Sequence, residues 1–236
     1  MNEKNTEMNE IIDIKKNLKE VRETIPTSVT LVCVSKTKPN EYIMEAYQSG
    51  ERVFGENKAQ ELRQKHETLP KDIQWHFIGH LQENKIKYII DYVTLIHSVD
   101  SLKLLIEINK QALKHSRIVD CLLEIDISHE ESKFGLSREE ATKLLEDSEY
   151  KQLKNIRLCG VMGVGSITTD RDQTRKEFRE LKELFTFLKT TYFPTADYFK
   201  QVSMGMTHDY DIALEEGATI VRIGSKIFGE RNYNKE

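Results

Sequence analysis

No run of apolar residues in this 236-residue chain approaches the roughly 20 that a membrane helix needs. Basic residues nowhere form a long stripe. The formal net charge is −4 and the sequence pI about 6.0, so neither pattern nor balance points to nucleic acid. The opening MNEKNTEMNE is polar and acidic, unlike a signal or transit peptide. Cysteine is scarce: Cys33, Cys121 and Cys159 stand far apart, each in a stretch that reads as strand. Their odd number and the lack of C-x-x-C exclude a disulfide scaffold and a zinc ribbon. A buried strand cysteine is a small hydrophobe. The expectation is a reducing, cytoplasmic location. There is no linker long enough to divide the chain, no low-complexity tract and no repeat.

What is present is alternation. Ile11, Ile14, Leu18 and Val21 recur at helical spacing over Glu10 to Glu23. Strands are then expected over Thr30 to Ser35, Arg52 to Asn57, Ile73 to Gly79, Val93 to Ser98, Val119 to Ile127, Ile156 to Met162, Tyr198 to Ser203 and Ala218 to Ile223. Helices fall between them: Asn40 can cap one ended by Gly50, Leu102, Leu105, Ile106, Ile108 and Leu113 form the apolar side of another, and Ser137 with Glu140 makes a capping box. A long helix over Asp170 to Tyr192 has Phe178, Leu181, Leu184, Phe185 and Leu188 on its core side. Strict alternation implies a parallel sheet. Eight units in one domain of this length favour a single (β/α)8 TIM barrel over residues 1–236, with an extra N-terminal helix and a disordered tail over 1–9; an open doubly wound sheet is the alternative.

The stretch LVCVSKTKP, Leu31 to Pro39, carries the first chemical anomaly. Val32, Val34 and Lys36 share one strand face. A lysine in line with buried valines needs water or a partner, and burial lowers its pKa toward that of a nucleophilic amine that makes Schiff bases. The plain structural reading is a lysine that snorkels out of the strand end.

In a barrel, active groups belong at the C-terminal ends of strands, and phosphate is often bound after strands seven and eight. Those loops here are SMGMTHD, Ser203 to Asp209, and IGSK, Ile223 to Lys226. Gly205 and Gly224 let backbone N–H groups approach an anion, and Ser203, Thr207 and Ser225 add hydroxyls. Asp209 is expected to cap the next helix. Arg222 shares a face with Ile220 and Gly224. If that face is the barrel interior, the guanidinium needs an acceptor: a carboxylate such as Glu124 or Asp126, or a heterocycle nitrogen. A Schiff-base lysine, a phosphate cup and a partner for a ring nitrogen form the set that pyridoxal 5′-phosphate (PLP) requires. An arginine there keeps its proton, leaving the ring a weaker electron sink than an acidic partner would. A metal site is not expected: His76 and His80 are four apart, but Gly79 and the strand reading rule out a helical pair.

With those residues in view, VSKTKP, FGENKAQE, WHFIGHLQENK, HSVD, ISHEESKFG, GVMGV, SMGMTHD and VRIGSKIFG closely resemble the YggS/PROSC family of pyridoxal-phosphate homeostasis proteins. The match runs from about Leu31 to Gly229, and Trp75 to Lys85 is its most specific part. The resemblance implies a barrel like the N-terminal domain of bacterial alanine racemase, with PLP held as an internal aldimine on Lys36. It places Ser203, Gly205, Met206, Thr207, Gly224 and Ser225 in phosphate-binding segments, Arg222 at the pyridine nitrogen, and Asn57 and Met162 around the ring. It further implies a protein that buffers or delivers PLP, with apo PLP-dependent enzymes as partners, and without robust catalysis. Asp126 stands where many relatives have asparagine, and GVMGVGS, Gly160 to Ser166, also varies from common forms.

Three functions compete. A carrier is favoured by the expectation that no C-terminal β domain, with its racemase tyrosine, follows Glu236. A PLP-dependent racemase would use Lys36 as one base and His80, His208 or Tyr210 as the other. A cofactor-free Schiff-base aldolase explains Lys36 and the phosphate cup but not Arg222. No heptad or long apolar stripe demands a partner, so the expectation is a monomer.

Overall fold

The computed structural model describes residues 12–128 and 134–230. The tail expected over 1–9, the helix positions Glu10 and Ile11, and the middle of the loop after the fifth strand lie outside the described residues.

Alternation does become a barrel. Strands β1 (Thr30–Val34), β2 (Val53–Glu56), β3 (Gln74–Phe77), β4 (Leu95–Val99), β5 (Val119–Ile125), β6 (Ile156–Gly163), β7 (Gln201–Ser203) and β8 (Ile220–Ile223) pair in parallel, each with the next, and β8 closes on β1. Helices α2 (Asn40–Gln48), α3 (Ala59–Thr68), α4 (Leu102–Lys114), α5 (Arg138–Glu146), α6 (Arg171–Tyr192), α7 (Tyr210–Glu215) and α8 (Ser225–Phe228) follow strands on the outside, and a 3-10 stretch, Glu83–Tyr88, links β3 to β4. The extra helix α1 (Ile14–Glu23) starts where the Asp13 carboxylate accepts the Lys16 N–H, and it packs on α2 and α8. No helix among the described residues is long and apolar enough to cross a membrane.

The two-residue period of each strand sorts its side chains into two cores. Val32, Val34, Leu95, Leu122, Met162 and Ile220 fill the barrel interior. Leu31, Cys33, Phe54, Trp75, Ile96, Leu123 and Val221 face out to the helices. Each such side chain contributes roughly 1.5–3 kcal/mol when fully buried. All three cysteines are buried thiols in strands.

Local expectations differ from the structure where a tertiary partner outcompetes the local pattern. Asn40 is the first residue of α2 rather than its cap; its amide donates to Thr68 Oγ1 on α3 instead. Leu113 is 61% exposed, and Leu104 and Ala112 take the inward places on α4. The strand expected from Tyr198 begins at Gln201. The Ser137–Glu140 capping box forms, and Asp170 caps α6.

The β5–β6 register shifts at Cys121/Leu122, opposite Gly160. Gly160 has φ +151°, and a Cβ there would lie 1.8 Å from the Gln201 carbonyl oxygen. The bulge shifts the phase of β6, so that Val161 faces the helices and Met162, paired with Ser203, faces the interior. Gly160→Ala is therefore expected to cost at least ~2 kcal/mol, from clash and backbone strain together. Gly50, at φ +105° with nothing within 4 Å, supplies a control for strain alone. Urea unfolding followed by circular dichroism should show a larger loss for Gly160→Ala than for Gly50→Ala; equal losses would mean that the bulge relaxes.

Candidate functional site at the C-terminal mouth of the barrel

β1 ends at Val34, two residues earlier than a strand reaching Lys36 would require. Lys36 therefore sits in a turn, half-buried, with Thr37 next to it at φ 65°. That turn is anchored from outside the barrel. Lys65 Nζ on α3 donates to the Ser35 carbonyl at 2.8 Å, to Glu56 Oε1 at 2.8 Å and to Glu61 Oε1 at 2.7 Å. Glu56 Oε1 also accepts from Ser35 Oγ at 2.6 Å, and Glu61 Oε1 accepts the Thr37 N–H at 2.7 Å. Both chain neighbours of Lys36 are thus clamped by one buried ion cluster. Burial pushes the Glu56 carboxyl up to about 7 against the pull of Lys65, and its Oε2 is buried without a partner. Nothing in the sequence marks Lys65 as buried except its i,i+4 spacing from Glu61 in a charged helix.

Arg222 does face the interior. It is 4% exposed and pairs across strands with Val32. Its Nη1 donates to Ser203 Oγ at 2.6 Å and its Nη2 to the Gly163 carbonyl at 3.0 Å. Among the described residues, neither Glu124 nor Asp126 forms the close ion pair considered for it. Burial pulls the guanidinium down to about 10, still charged at neutral pH, while Asp209 and Glu124 act on it only through space. Glu124 is itself pushed up to about 7, by burial first and by Asp100 second.

The loops after β7 and β8 come together as the sequence suggested. Gly205 is at φ +89°, where a Cβ would lie 2.5 Å from that of Ala213. The Gly205 carbonyl accepts the Arg222 N–H, and the Gly224 N–H lies 3.4 Å from Thr207 Oγ1. A Cβ at Gly224 would sit 3.1 Å from the Val34 carbonyl, so this loop lies directly beside the end of β1. Thr207, Gly224 and Ser225 are partly exposed here, and Met206 is exposed. Two details of these loops differ from the local expectation. Ser203 is fully buried, and its hydroxyl faces Arg222 and His97 rather than the mouth. Asp209 does not cap α7 with its side chain; its carboxylate accepts the Met206 N–H at 2.5 Å.

Asn57 follows β2, half-buried, packed against Gly79, with its Oδ1 buried and unpartnered. Met162 lies in the inner core. Of the proposed second bases, Tyr210 is buried, its hydroxyl 3.0 Å from Thr24 Oγ1 and 2.8 Å from Lys226 Nζ, on the outer layer. His208 is exposed; His80 lies 3.4 Å from Asp100 and stacks on Phe134. Among the described residues no cluster of His, Cys, Asp or Glu could hold a metal ion.

The donor set fits a phosphorylated pyridine aldehyde: a half-buried lysine at the mouth, glycine loops beside it, and a buried cation whose hydrogen-bond partners are neutral. A pyridine nitrogen is a neutral acceptor and would complete that guanidinium without a carboxylate.

A family model described as alanine racemase, N-terminal domain, matches residues 11–232. A pyridoxal phosphate homeostasis protein of Aquifex aeolicus is 43% identical over 204 residues, covering 86% of this chain and 87% of that protein. One of Escherichia coli K12 is 34% identical over 238 residues, covering 95% and 99%. PipY of Synechococcus elongatus, solved with PLP bound, is similar with a TM-score of 0.83 at 31% identity over 92% of this chain and 100% of that one. An alanine racemase of Clostridium difficile shares the fold, with a TM-score of 0.72 at 16% identity over 94% of this chain and 60% of its own.

The clamp around Lys36 makes a stability prediction. Lys65→Met leaves Glu56 as a buried, unpaired carboxylate and is expected to cost about 3–5 kcal/mol at pH 7.5. Glu56 already titrates above its ordinary value in the folded state, so the folded form takes up the proton first. Stability is gained as pH falls from about 7 toward 4.5, and the deficit of Lys65→Met should shrink over that window. Denaturant midpoints of variant and wild type at pH 7.5 and 5.5 check this; a deficit independent of pH would show that Glu56 is not the source.

Proposed function

The chain belongs to the family of the alanine racemase N-terminal domain, among its pyridoxal phosphate homeostasis proteins, and from that membership we propose that it binds PLP and maintains the cofactor pool of the cytoplasm, holding PLP on Lys36 and releasing it to apo PLP-dependent enzymes. The observation that carries the reading is Arg222: a buried, charged guanidinium with neutral partners, on the strand next to the one that leads into Lys36. The whole chain would work as one barrel, as a monomer.

The bound group would supply an aldehyde that condenses with the Lys36 amine to a Schiff base, with loss of water. Every other role falls to the chain. Arg222 donates to the ring nitrogen and, being unable to yield its proton, keeps that nitrogen unprotonated. The backbone and hydroxyls of Gly205, Thr207, Gly224 and Ser225 hold the phosphate, with Met206 at the rim. Asn57 and Met162 border the ring, polar on one side and apolar on the other. Ser203 serves through Arg222 instead of through the phosphate. The Glu56–Lys65–Glu61 cluster keeps the Lys36 turn in place from the outer layer.

Two measurements test this. Borohydride treatment of the PLP-loaded protein, followed by peptide mapping, should fix the cofactor on Lys36, and Lys36→Ala should lose both the adduct and the visible absorption while keeping its far-ultraviolet dichroism. An undiminished adduct on Lys38 or Lys226 would overturn the assignment. Secondly, loaded protein incubated in deuterium oxide with a panel of L-amino acids should give no α-hydrogen exchange above that of free PLP. Fast exchange of one amino acid, absent from Lys36→Ala, would make the protein a racemase-like enzyme and identify its substrate.

A further inference from the structure

Four side chains from four strands form a continuous hydrogen-bonded file inside the barrel. Arg222 on β8 donates to Ser203 Oγ on β7 at 2.6 Å. Ser203 Oγ lies 2.9 Å from His97 Nδ1 on β4, and His97 Nε2 lies 2.9 Å from His76 Nδ1 on β3. None of the four is more than 5% exposed. At the far end, His76 lines a cavity of about 580 Å³ at the N-terminal ends of the strands, together with Gln74, Thr94, Asp120, Arg157 and Gln201. The file therefore runs from the opposite mouth of the barrel to the guanidinium at the candidate site.

Hydrogen-bond arithmetic fixes its direction. Arginine only donates, so Ser203 Oγ accepts from it. The Ser203 hydroxyl has one proton of its own, and His97 Nδ1 is the acceptor the structure offers it. His97 then carries its proton on Nε2 and donates to His76 Nδ1. His76 in turn carries its proton on Nε2. The opposite arrangement leaves the proton of the fully buried Ser203 hydroxyl without its His97 acceptor, at a cost of about 1–3 kcal/mol, and aims both imidazole N–H dipoles toward the cation. In the favoured direction every acceptor end faces Arg222, and each bond polarises the next. The scheme needs neutral rings, and burial supplies them: it holds His76 down to about 4 and His97 well below its ordinary value.

We propose that Ser203, His97 and His76 are positioning residues, a one-way relay of neutral hydrogen bonds that fixes the orientation of Arg222 so that its remaining N–H groups meet the nitrogen of a heteroaromatic ring. The ring contact rests on the PLP reading above; the relay and its direction do not. The relay does for the guanidinium what a carboxylate would otherwise do, without cancelling its charge. That distinguishes it from a packing network: replacing a link by a side chain of matching donors and acceptors should preserve Arg222, and replacing it by an apolar one should release it.

The direction is tested on the ligand-free full-length protein, labelled with 15N-histidine. Long-range 1H–15N spectra at pH 7 should show both rings neutral with the proton on Nε2, assigned with His97→Gln and His76→Gln. A proton on His97 Nδ1, or a charged ring, overturns the relay. Ser203→Ala, which removes the hydroxyl and little volume, should abolish the His97 preference; an unchanged His97 spectrum also overturns it. The positioning role is tested on PLP-loaded protein. His97→Phe should shift the visible absorption of the bound cofactor and weaken its retention about tenfold, the scale of one lost hydrogen bond in a buried chain. His97→Gln should restore both. A wild-type spectrum and affinity in His97→Phe would show that His97 does not position Arg222. If His97→Phe does not fold, Ser203→Ala decides the positioning role: its absorption should shift in the same way, and an unshifted absorption overturns that role. If wild-type protein forms no borohydride-stable adduct on Lys36, the cofactor reading fails, while the tautomers in ligand-free protein decide the relay separately.

Discussion

A charge inside a barrel has to be solvated by the barrel, and Arg222 organises the interior of this one. An unpaired guanidinium in a dry core would cost several kcal/mol. The usual remedy, a carboxylate at hydrogen-bond distance, is not used among the described residues. Arg222 instead holds the Ser203 hydroxyl and the Gly163 carbonyl, with Glu124 and Asp209 contributing at longer range. That choice constrains its neighbours. β6 must end where its Gly163 carbonyl can turn inward, which the bulge at Gly160 arranges. β7 must present a small hydroxyl at Ser203, and β4 and β3 must supply neutral acceptors behind it.

The second charged group at the site is governed from the other layer. Lys36 lies beyond the end of β1, where backbone pairing no longer fixes it. The Ser35 carbonyl and hydroxyl and the Thr37 N–H are tied instead to the side chains of Glu56, at the end of β2, and of Glu61 and Lys65 on α3, on the outer side of the barrel wall. The two cores thus divide the work. The inner core holds the buried cation, and the outer core sets the turn that carries the Lys36 amine. Exposed ion pairs such as Arg63–Glu67 contribute little by comparison, because water screens them.

How much of this the sequence discloses follows from the range of each signal. Periodicity is local, so the eight strands, the amphipathic faces of α1 and α6 and the Ser137–Glu140 box are all legible. Arg222 is legible as an anomaly because alternation places a charge on the face of Ile220. What it meets is not legible, because Ser203 and Gly163 are 19 and 59 residues away. For the same reason Ser203 reads as part of a mouth loop, when one residue of depth along β7 puts it in the core. Lys65 is inconspicuous in a charged helix, and His76 and His97 stand out only as members of motifs. A residue whose role depends on a partner from another strand carries no local mark, and the relay and the clamp consist almost entirely of such residues.

The same physics bears on why a fold shared with alanine racemases would hold a cofactor without using it hard. A pyridine ring draws electrons strongly when its nitrogen is protonated, and an acidic partner can share a proton with it. Arg222 cannot, since even after burial it keeps its proton at neutral pH. The neutral rings behind it supply no proton either: both imidazoles are held unprotonated by burial, and in the favoured direction their N–H groups point away from Arg222. Nor does Tyr210 reach the mouth as a second base, its hydroxyl being bound to Thr24 and Lys226 on the outer layer. A ring held this way would be anchored firmly and activated weakly, the combination that the proposed holding and release of a reactive aldehyde calls for.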